Sequence, residues 1–280
     1  VPGGMNTDTP TEMQIESLLA QMTIDEKVAM VHGATAFDGA GCERLGIPGW
    51  RLSDGPMGCK GPTMGETLSV PQSTSLAATF DETQVYAIGV ALGEECNDRG
   101  VDMLLGPTVN LHRSPLAGRH FECMSEDPFL SARMAVAYID GLQSAGVSSC
   151  VKHYLCNDQE HERMTIDVHV DERTLREVYL PPFEAAVVEA DARSVMSSYN
   201  FVNGHHASAQ PHLLDEVLKR EWGFDGVVVS DWGSIKETVA PAVHGLDLEM
   251  PGPGDHWGHG RLQDAVADGS VPVAEVDDKV

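Results

Sequence analysis

Apolar and polar positions follow two different periods along this chain. From about residue 76 onward, stretches with apolar residues every three to four positions alternate with short runs that are apolar throughout. The first kind reads as amphipathic helix. The second reads as a strand buried on both faces, the pattern of a parallel sheet covered by helices. Helices are predicted at 81–99, 128–145, 171–189 and 211–222, strands at 101–105, 147–153, 194–199, 227–231 and 246–249, and a last helix from near Gly260. Upstream, two helices are expected before residue 33. The second opens on a capping box, with Thr23 as N-cap and Glu26 as its reciprocal partner. The Gly- and Pro-rich stretch 33–71 has no sustained period and is long for an empty connection, so short strands and functional loops are expected within it. Residues 1–11, rich in Gly, Pro and Thr, read as a flexible N-terminus.

Repeated strand–helix units over roughly 200 residues predict an α/β fold, a (β/α)8 TIM-type barrel with irregular first strands. A doubly wound open sheet is the competing architecture, but no G-x-G-x-x-G follows a strand. No repeat, low-complexity tract or internal boundary interrupts 12–280, which reads as one catalytic domain.

Charge then narrows the partners. The 18 Lys and Arg against 43 Asp and Glu give a net charge of −25. Such a surface repels nucleic acid and anionic membranes but not a neutral ligand such as a sugar. Most of the acidity is a solvated face. No apolar run approaches the ~20 residues of a membrane span, and no leader peptide is visible. The six cysteines form no C-x-x-C pair and read mainly as small buried hydrophobes, which favours a cytoplasmic setting over secretion. The 12 histidines show no His-x-His after an early strand, so neither a metal nor a cofactor is expected.

Candidate chemistry collects where the predicted strands end. The strand at 147–151 runs into Lys152, His153 and Tyr154, that at 194–198 into Tyr199 and Asn200, and that at 227–230 into Asp231 and Trp232. In a parallel barrel these ends share one mouth, so Lys152, His153, Tyr199 and Asp231 should face a common pocket. Charged donors and acceptors suit a ligand rich in hydroxyls, and Tyr199 and Trp232 offer flat faces to a sugar ring. A retaining glycosidase needs an ionised carboxylate as nucleophile and a protonated carboxyl as acid/base, about 5 Å apart. Asp231 can be the first, held ionised by Lys152, His153 and Arg119.

The stretch Gly226-Val-Val-Val-Ser-Asp-Trp232 resembles the nucleophile segment of glycoside hydrolase family 3. Other segments agree in the family's order: Arg51-Leu-Ser-Asp-Gly-Pro56, Gly118-Arg-His-Phe-Glu122 with Ser125-Glu-Asp-Pro128, Val151-Lys-His-Tyr154, Tyr179-Leu-Pro-Pro-Phe183, Ser198-Tyr-Asn200 with Asn203-Gly204, Glu221-Trp-Gly-Phe-Asp-Gly226 and Gly245-Leu-Asp-Leu-Glu-Met-Pro-Gly252. Each alone is weak, but the ordered set is specific. The resemblance implies a retaining β-glucosidase barrel with Asp231 as the nucleophile that forms the covalent glycosyl-enzyme. It implies sugar contacts from Asp54, Arg119, Lys152, His153 and Arg163, with Met196, Tyr199 and Trp232 lining the same pocket. In most of the family the acid/base lies on a domain after the barrel, so a C-terminal β-sandwich partner is expected. One branch instead uses a loop His after the Lys-His pair, but here Tyr154-Leu-Cys-Asn-Asp158 follows, without that motif. By itself, the chain is expected to turn over substrate weakly or not at all.

Alternatives stay open at this level. Arg119 can orient Glu122 or Asp231 rather than a sugar, and Arg163 can pair with Glu160 or Glu162. The substrate can be a xyloside or arabinoside, or the barrel can bind carbohydrate without cleaving it. A homo-oligomer is left open.

Overall fold

The computed structural model describes residues 12–61 and 64–280. The expected flexible segment 1–11 lies outside the described residues. Two short helices, α1 (Glu12–Leu19) and α2 (Ile24–Met30), come first. The predicted capping box is present: the Glu26 amide donates to Thr23 Oγ1, and Glu26 Oε2 accepts the Thr23 amide at 2.8 Å.

Strands β1 (Asp38–Gly39), β2 (Trp50–Asp54), β3 (Met103–Leu105), β4 (Ser148–Tyr154), β6 (Ser194–Ser197) and β9 (Val227–Ser230) form one six-stranded sheet in that order. A small second sheet joins β5 (Asp167–Val168), β7 (Phe201–Val202) and β8 (His205–His206). Within the main sheet β2, β3, β4, β6 and β9 pair in parallel, whereas β1 is antiparallel to β2. Beyond β9 the pairing continues through single-residue bridges, Val229 to Leu248, Glu249 to His32, and Gly33 back to Gly39 in β1. The sheet thus curls round on itself as a TIM-type barrel whose first strands are irregular. The strand predicted at 246–249 is reduced to two bridges, because its backbone also turns to close the ring.

The outer layer is helical. Helices α3 (Ser73–Ala77), α4 (Glu82–Asp98) and α5 (Pro128–Ser144) follow β2 and β3. Asp81 caps α4 by accepting the Thr83 and Gln84 amides, and Asp127 caps α5 in front of Pro128. The helix predicted at 171–189 is broken. Helix α6 (Glu172–Thr174) passes into a π-type turn at Leu175–Tyr179 before α7 (Pro181–Val188), because Pro181 and Pro182 donate no backbone hydrogen bonds. A π-type helix at His212–Glu221 precedes β9, and α8 (Val239–Val243), α9 (Arg261–Ala267) and α10 (Val273–Lys279) complete the chain. No helix among the described residues is long and apolar enough to cross a membrane.

Strand periodicity sorts side chains between two cores. Val151, Val195 and Val228 pack outward among residues of the surrounding helices, including Phe183 and Leu214. Their neighbours Cys150, Met196 and Val229 point inward with Leu52, Met103, Leu105, Leu248 and Met250. Both sets are buried, which is why these strands read as continuous apolar runs.

Candidate active site

The inward columns of the barrel lead directly to the site. Side chains two positions apart share a face of a strand. Asp54 follows Leu52, Leu105 follows Met103, Lys152 follows Cys150 and Asp231 follows Val229, so each of the four extends an inward apolar column to the C-terminal mouth. His153 breaks this rule by joining its neighbour Lys152 at the cavity. The register between β4 and β6 shifts between Lys152 and Tyr154, and this irregularity lets two consecutive side chains face the same space.

A cavity of about 260 Å³ occupies that mouth, lined by Phe37, Asp54, Leu105, Arg119, Lys152, His153, Arg163, Met196, Tyr199, Asp231 and Trp232. The structure therefore brings together all nine residues expected from the sequence. Pockets for drug-sized ligands run roughly 300–1,000 Å³, so this one has room for a single small ring. Phe37 and Leu105 were not anticipated. Phe37 lies in the Gly-rich stretch that showed no period, and Leu105 ends a strand in an apolar residue, which carries no chemical signal.

At the centre, Asp231 is only 6% exposed. Its Oδ1 accepts the Trp232 amide at 2.8 Å, while its Oδ2 is buried with no hydrogen-bond partner. Burial raises the carboxyl's pKa, opposed by the Lys152 charge, the Trp232 amide, the Arg119 charge and the Tyr199 hydroxyl. The hydrogen bond of that hydroxyl goes to the Trp232 carbonyl at 3.0 Å. A buried carboxylate oxygen without a partner is rare and costly in a native fold, and it marks an atom kept open for something else.

His153 Nε2 lies 3.6 Å from Asp231 Oδ2, too far for a hydrogen bond. Nor is it an ion pair, because burial, followed by the charges of Arg119, Lys152 and Arg163, holds the imidazole well below its ordinary pKa and therefore neutral. The expectation that His153 helps ionise Asp231 is corrected accordingly: Lys152 and Arg119 act in that direction, His153 does not. Its neighbours define the tautomer. The Arg119 guanidinium, which can only donate, is 3.1 Å from Nε2, so Nε2 carries the lone pair. Nδ1 then bears the proton and faces Asn110 Oδ1 at 3.2 Å. The same Oδ1 accepts the His153 amide at 2.8 Å, and Asn110 Nδ2 donates to the His153 carbonyl at 2.9 Å. Nothing in the sequence singled out Asn110, which lies outside the cavity and in no motif.

The remaining cations are fixed by carboxylates. Arg119 forks onto Glu122 at 2.9 and 3.0 Å, and Arg163 pairs with Glu160 at 2.5 Å while its guanidinium sits 4.6 Å from the Tyr199 ring centroid. Both arginines thus take the structural partners foreseen for them and also line the cavity. Lys152 is 3% exposed and donates to Asp54 at 3.2 Å, whereas the Asp54 side chain is 45% exposed at the rim. Trp232 donates through Nε1 to the Ala36 carbonyl, and its ring lies 5.4 Å from that of Phe37, forming one apolar wall. Among the described residues, no three His, Cys, Asp or Glu side chains group to hold a metal ion.

Comparison with known proteins places this geometry. The family model described as "Glycosyl hydrolase family 3 N terminal domain" matches residues 43–280. The chain belongs to glycosyl hydrolase family 3. Its similarity to family members is broad: it is 48% identical to a beta-glucosidase of Rhizobium radiobacter over 266 residues, covering 94% of this chain and 32% of that protein. A thermostable beta-glucosidase B of Acetivibrio thermocellus is 45% identical over 249 residues, covering 85% and 33%. Among solved structures, the beta-glucosidase from Kluyveromyces marxianus in complex with glucose superposes with a TM-score of 0.92 at 36% identity, covering 95% of this chain and 33% of that one. The chain thus spans about a third of the length of these relatives.

Proposed function

We propose that this family 3 barrel carries the nucleophile of a retaining glycosidase that removes terminal β-D-glucosyl units, with Asp231 Oδ2 attacking the anomeric carbon. The unpartnered, buried Oδ2 of a residue that lines a cavity of sugar-sized dimensions is the observation that carries this reading. In the free site burial works against the charge on Asp231. An oxocarbenium-like transition state restores the balance by bringing positive charge to that oxygen, an interaction stronger there than in the ground state. Arg119, Lys152 and Arg163 donate to sugar hydroxyls, Asp54 accepts from them at the rim, and Trp232 with Phe37 covers the ring's C–H face.

The acid/base is proposed to come from a C-terminal domain of a longer protein. Asp54 pairs with Lys152, Glu122 with Arg119 and Glu160 with Arg163, so none of these three carboxyls stands free to meet a leaving-group oxygen. The names of the relatives favour a β-glucoside as substrate.

A 2-deoxy-2-fluoro-β-glucoside with a dinitrophenyl leaving group tests this directly. Such a leaving group departs without protonation, so the barrel by itself should be labelled, and peptide mass mapping should find the adduct on Asp231. Labelling at another residue, or none under conditions in which the chain is folded, would refute the assignment.

A further inference from the structure

Cys59 and Cys96 come from separate elements, the loop after β2 and the last full turn of α4, yet their Sγ atoms lie 3.1 Å apart. Both residues are fully buried, and all six cysteines of the chain are reduced in this structure. A separation of 3.1 Å is shorter than an ordinary thiol–thiol contact and needs only about one further ångström of approach to reach the ~2.05 Å of a disulfide. The surroundings already hold the two elements together. Leu68 donates its amide to Glu95 Oε1 at 2.6 Å, and Arg99 donates to the Met64 carbonyl at 2.5 Å and to that of Glu66. The residues flanking Cys96 on α4 therefore grip the loop that carries Cys59.

We propose that Cys59 and Cys96 are a disulfide-forming pair, oxidised by exchange with a small-molecule disulfide of the glutathione type, that locks the Asp54–Lys60 hairpin to α4. Cys59 attacks first as its thiolate, forming a mixed disulfide and releasing one glutathione thiolate. Cys96, having given its proton to solvent, then attacks the Cys59 sulfur, forming the protein S–S bond and releasing the second glutathione. Two protein thiols lose two electrons and two protons, and one glutathione disulfide gains them. The order follows from the contact between the sulfurs, which lowers the pKa of Cys59 and, with burial, raises that of Cys96, so Cys59 is the first to ionise. By contrast, burial pushes the Cys123 and Cys150 thiols up to about 12, and no second cysteine contacts them among the described residues. Because both sulfurs are buried, exchange in the folded chain requires the segment around Cys59 to part from α4.

The crosslink matters to the site because Cys59 sits inside the hairpin that starts at Asp54. Asp54 and Lys60 exchange both backbone hydrogen bonds, at 3.2 and 3.0 Å, and Ser53 Oγ accepts the Lys60 amide at 2.9 Å. A covalent tie at Cys59 therefore fixes the segment that presents Asp54 to Lys152.

The test is refolding of the whole chain in a mixed oxidised and reduced glutathione buffer, an acid quench, alkylation and non-reducing peptide mapping. The expected result is a crosslinked Cys59–Cys96 peptide with the other four cysteines alkylated, and a melting temperature roughly 5–10 °C above that of the reduced chain. The gain should vanish in Cys59→Ala and in Cys96→Ala. Recovery of both residues as free alkylated thiols, a glutathione adduct stalled on Cys59, or pairing with any other cysteine would overturn the proposal. The wild-type map decides even if the alanine variants fail to fold.

Discussion

Asn110 is the residue whose loss should test the site most sharply. Its side chain satisfies the His153 amide, the His153 carbonyl and the Nδ1 proton at 2.8, 2.9 and 3.2 Å, behind the cavity, where Asn110 is 3% and His153 2% exposed. In Asn110→Ala the two backbone groups stay buried without partners. Each such orphan costs about 1–3 kcal/mol, so the variant should be about 2–6 kcal/mol less stable than wild type. Urea unfolding at neutral pH measures this as a shift in midpoint at constant slope. Histidine-nitrogen NMR supplies the second readout. Wild-type His153 should be neutral with the proton on Nδ1, because Arg119 can only donate to Nε2. Asn110→Asp should place a carboxylate beside Nδ1 and raise the pH at which the ring titrates, and both variants should slow labelling of Asp231 by the fluorosugar. The reasoning is refuted if Asn110→Ala lies within about 1 kcal/mol of wild type, or if the wild-type ring carries its proton on Nε2.

Asp231→Asn should abolish fluorosugar labelling and yet be more stable than wild type at neutral pH, since it removes a buried charge with an unpartnered oxygen; because folding raises the Asp231 pKa, the gap should narrow as pH falls through the folded value, and urea curves across pH would show otherwise if the variant is the weaker. His206 is neutral in the fold, its pKa lowered by burial from 6.5 to about 4, so the unfolded chain takes up the proton first as pH falls. Its contribution is intact above pH 6.5 and is lost progressively down to about pH 4, roughly 3 kcal/mol in all, and His206→Gln should flatten that part of the pH–stability curve. Gly141→Ala should separate α4 from α5, because a Cβ there would sit 2.2 Å from the Tyr86 carbonyl oxygen; a loss of at least ~1–3 kcal/mol is expected, and an unchanged melting temperature would show that the helices yield more easily than close packing allows.

Lys152, His153, Tyr199 and Asp231 were legible because polar residues at the ends of apolar runs stand out, whereas Asp54, in a stretch without a period, was legible only through the family resemblance. Helices α4 and α5 emerged at nearly their predicted bounds, each announced by an Asp cap. The β7–β8 hairpin was not anticipated, although Asn203 and Gly204 both adopt positive φ and the Asn-Gly pair is a strong turn signal. Its strands are two residues each, too short for any period to register. Closure of the barrel was legible only on one side: a strand was expected at 246–249, but the closing residues His32 and Gly33 gave no signal, since single-residue bridges leave no pattern in the chain.

What the chain determined alone was local: where apolar periods change, where helices begin, and which strand ends carry ionisable groups. Those follow from backbone geometry and side-chain chemistry, which act over a few residues. Only the tertiary structure decided that His153 is neutral, that Asp231 Oδ2 is left without a partner, that Asn110 stands behind the pocket and that Cys59 meets Cys96. Each of these depends on burial and on neighbours brought from distant segments, and a buried charge or hydrogen bond has no energy assigned to it until the surroundings that desolvate and pair it are in place.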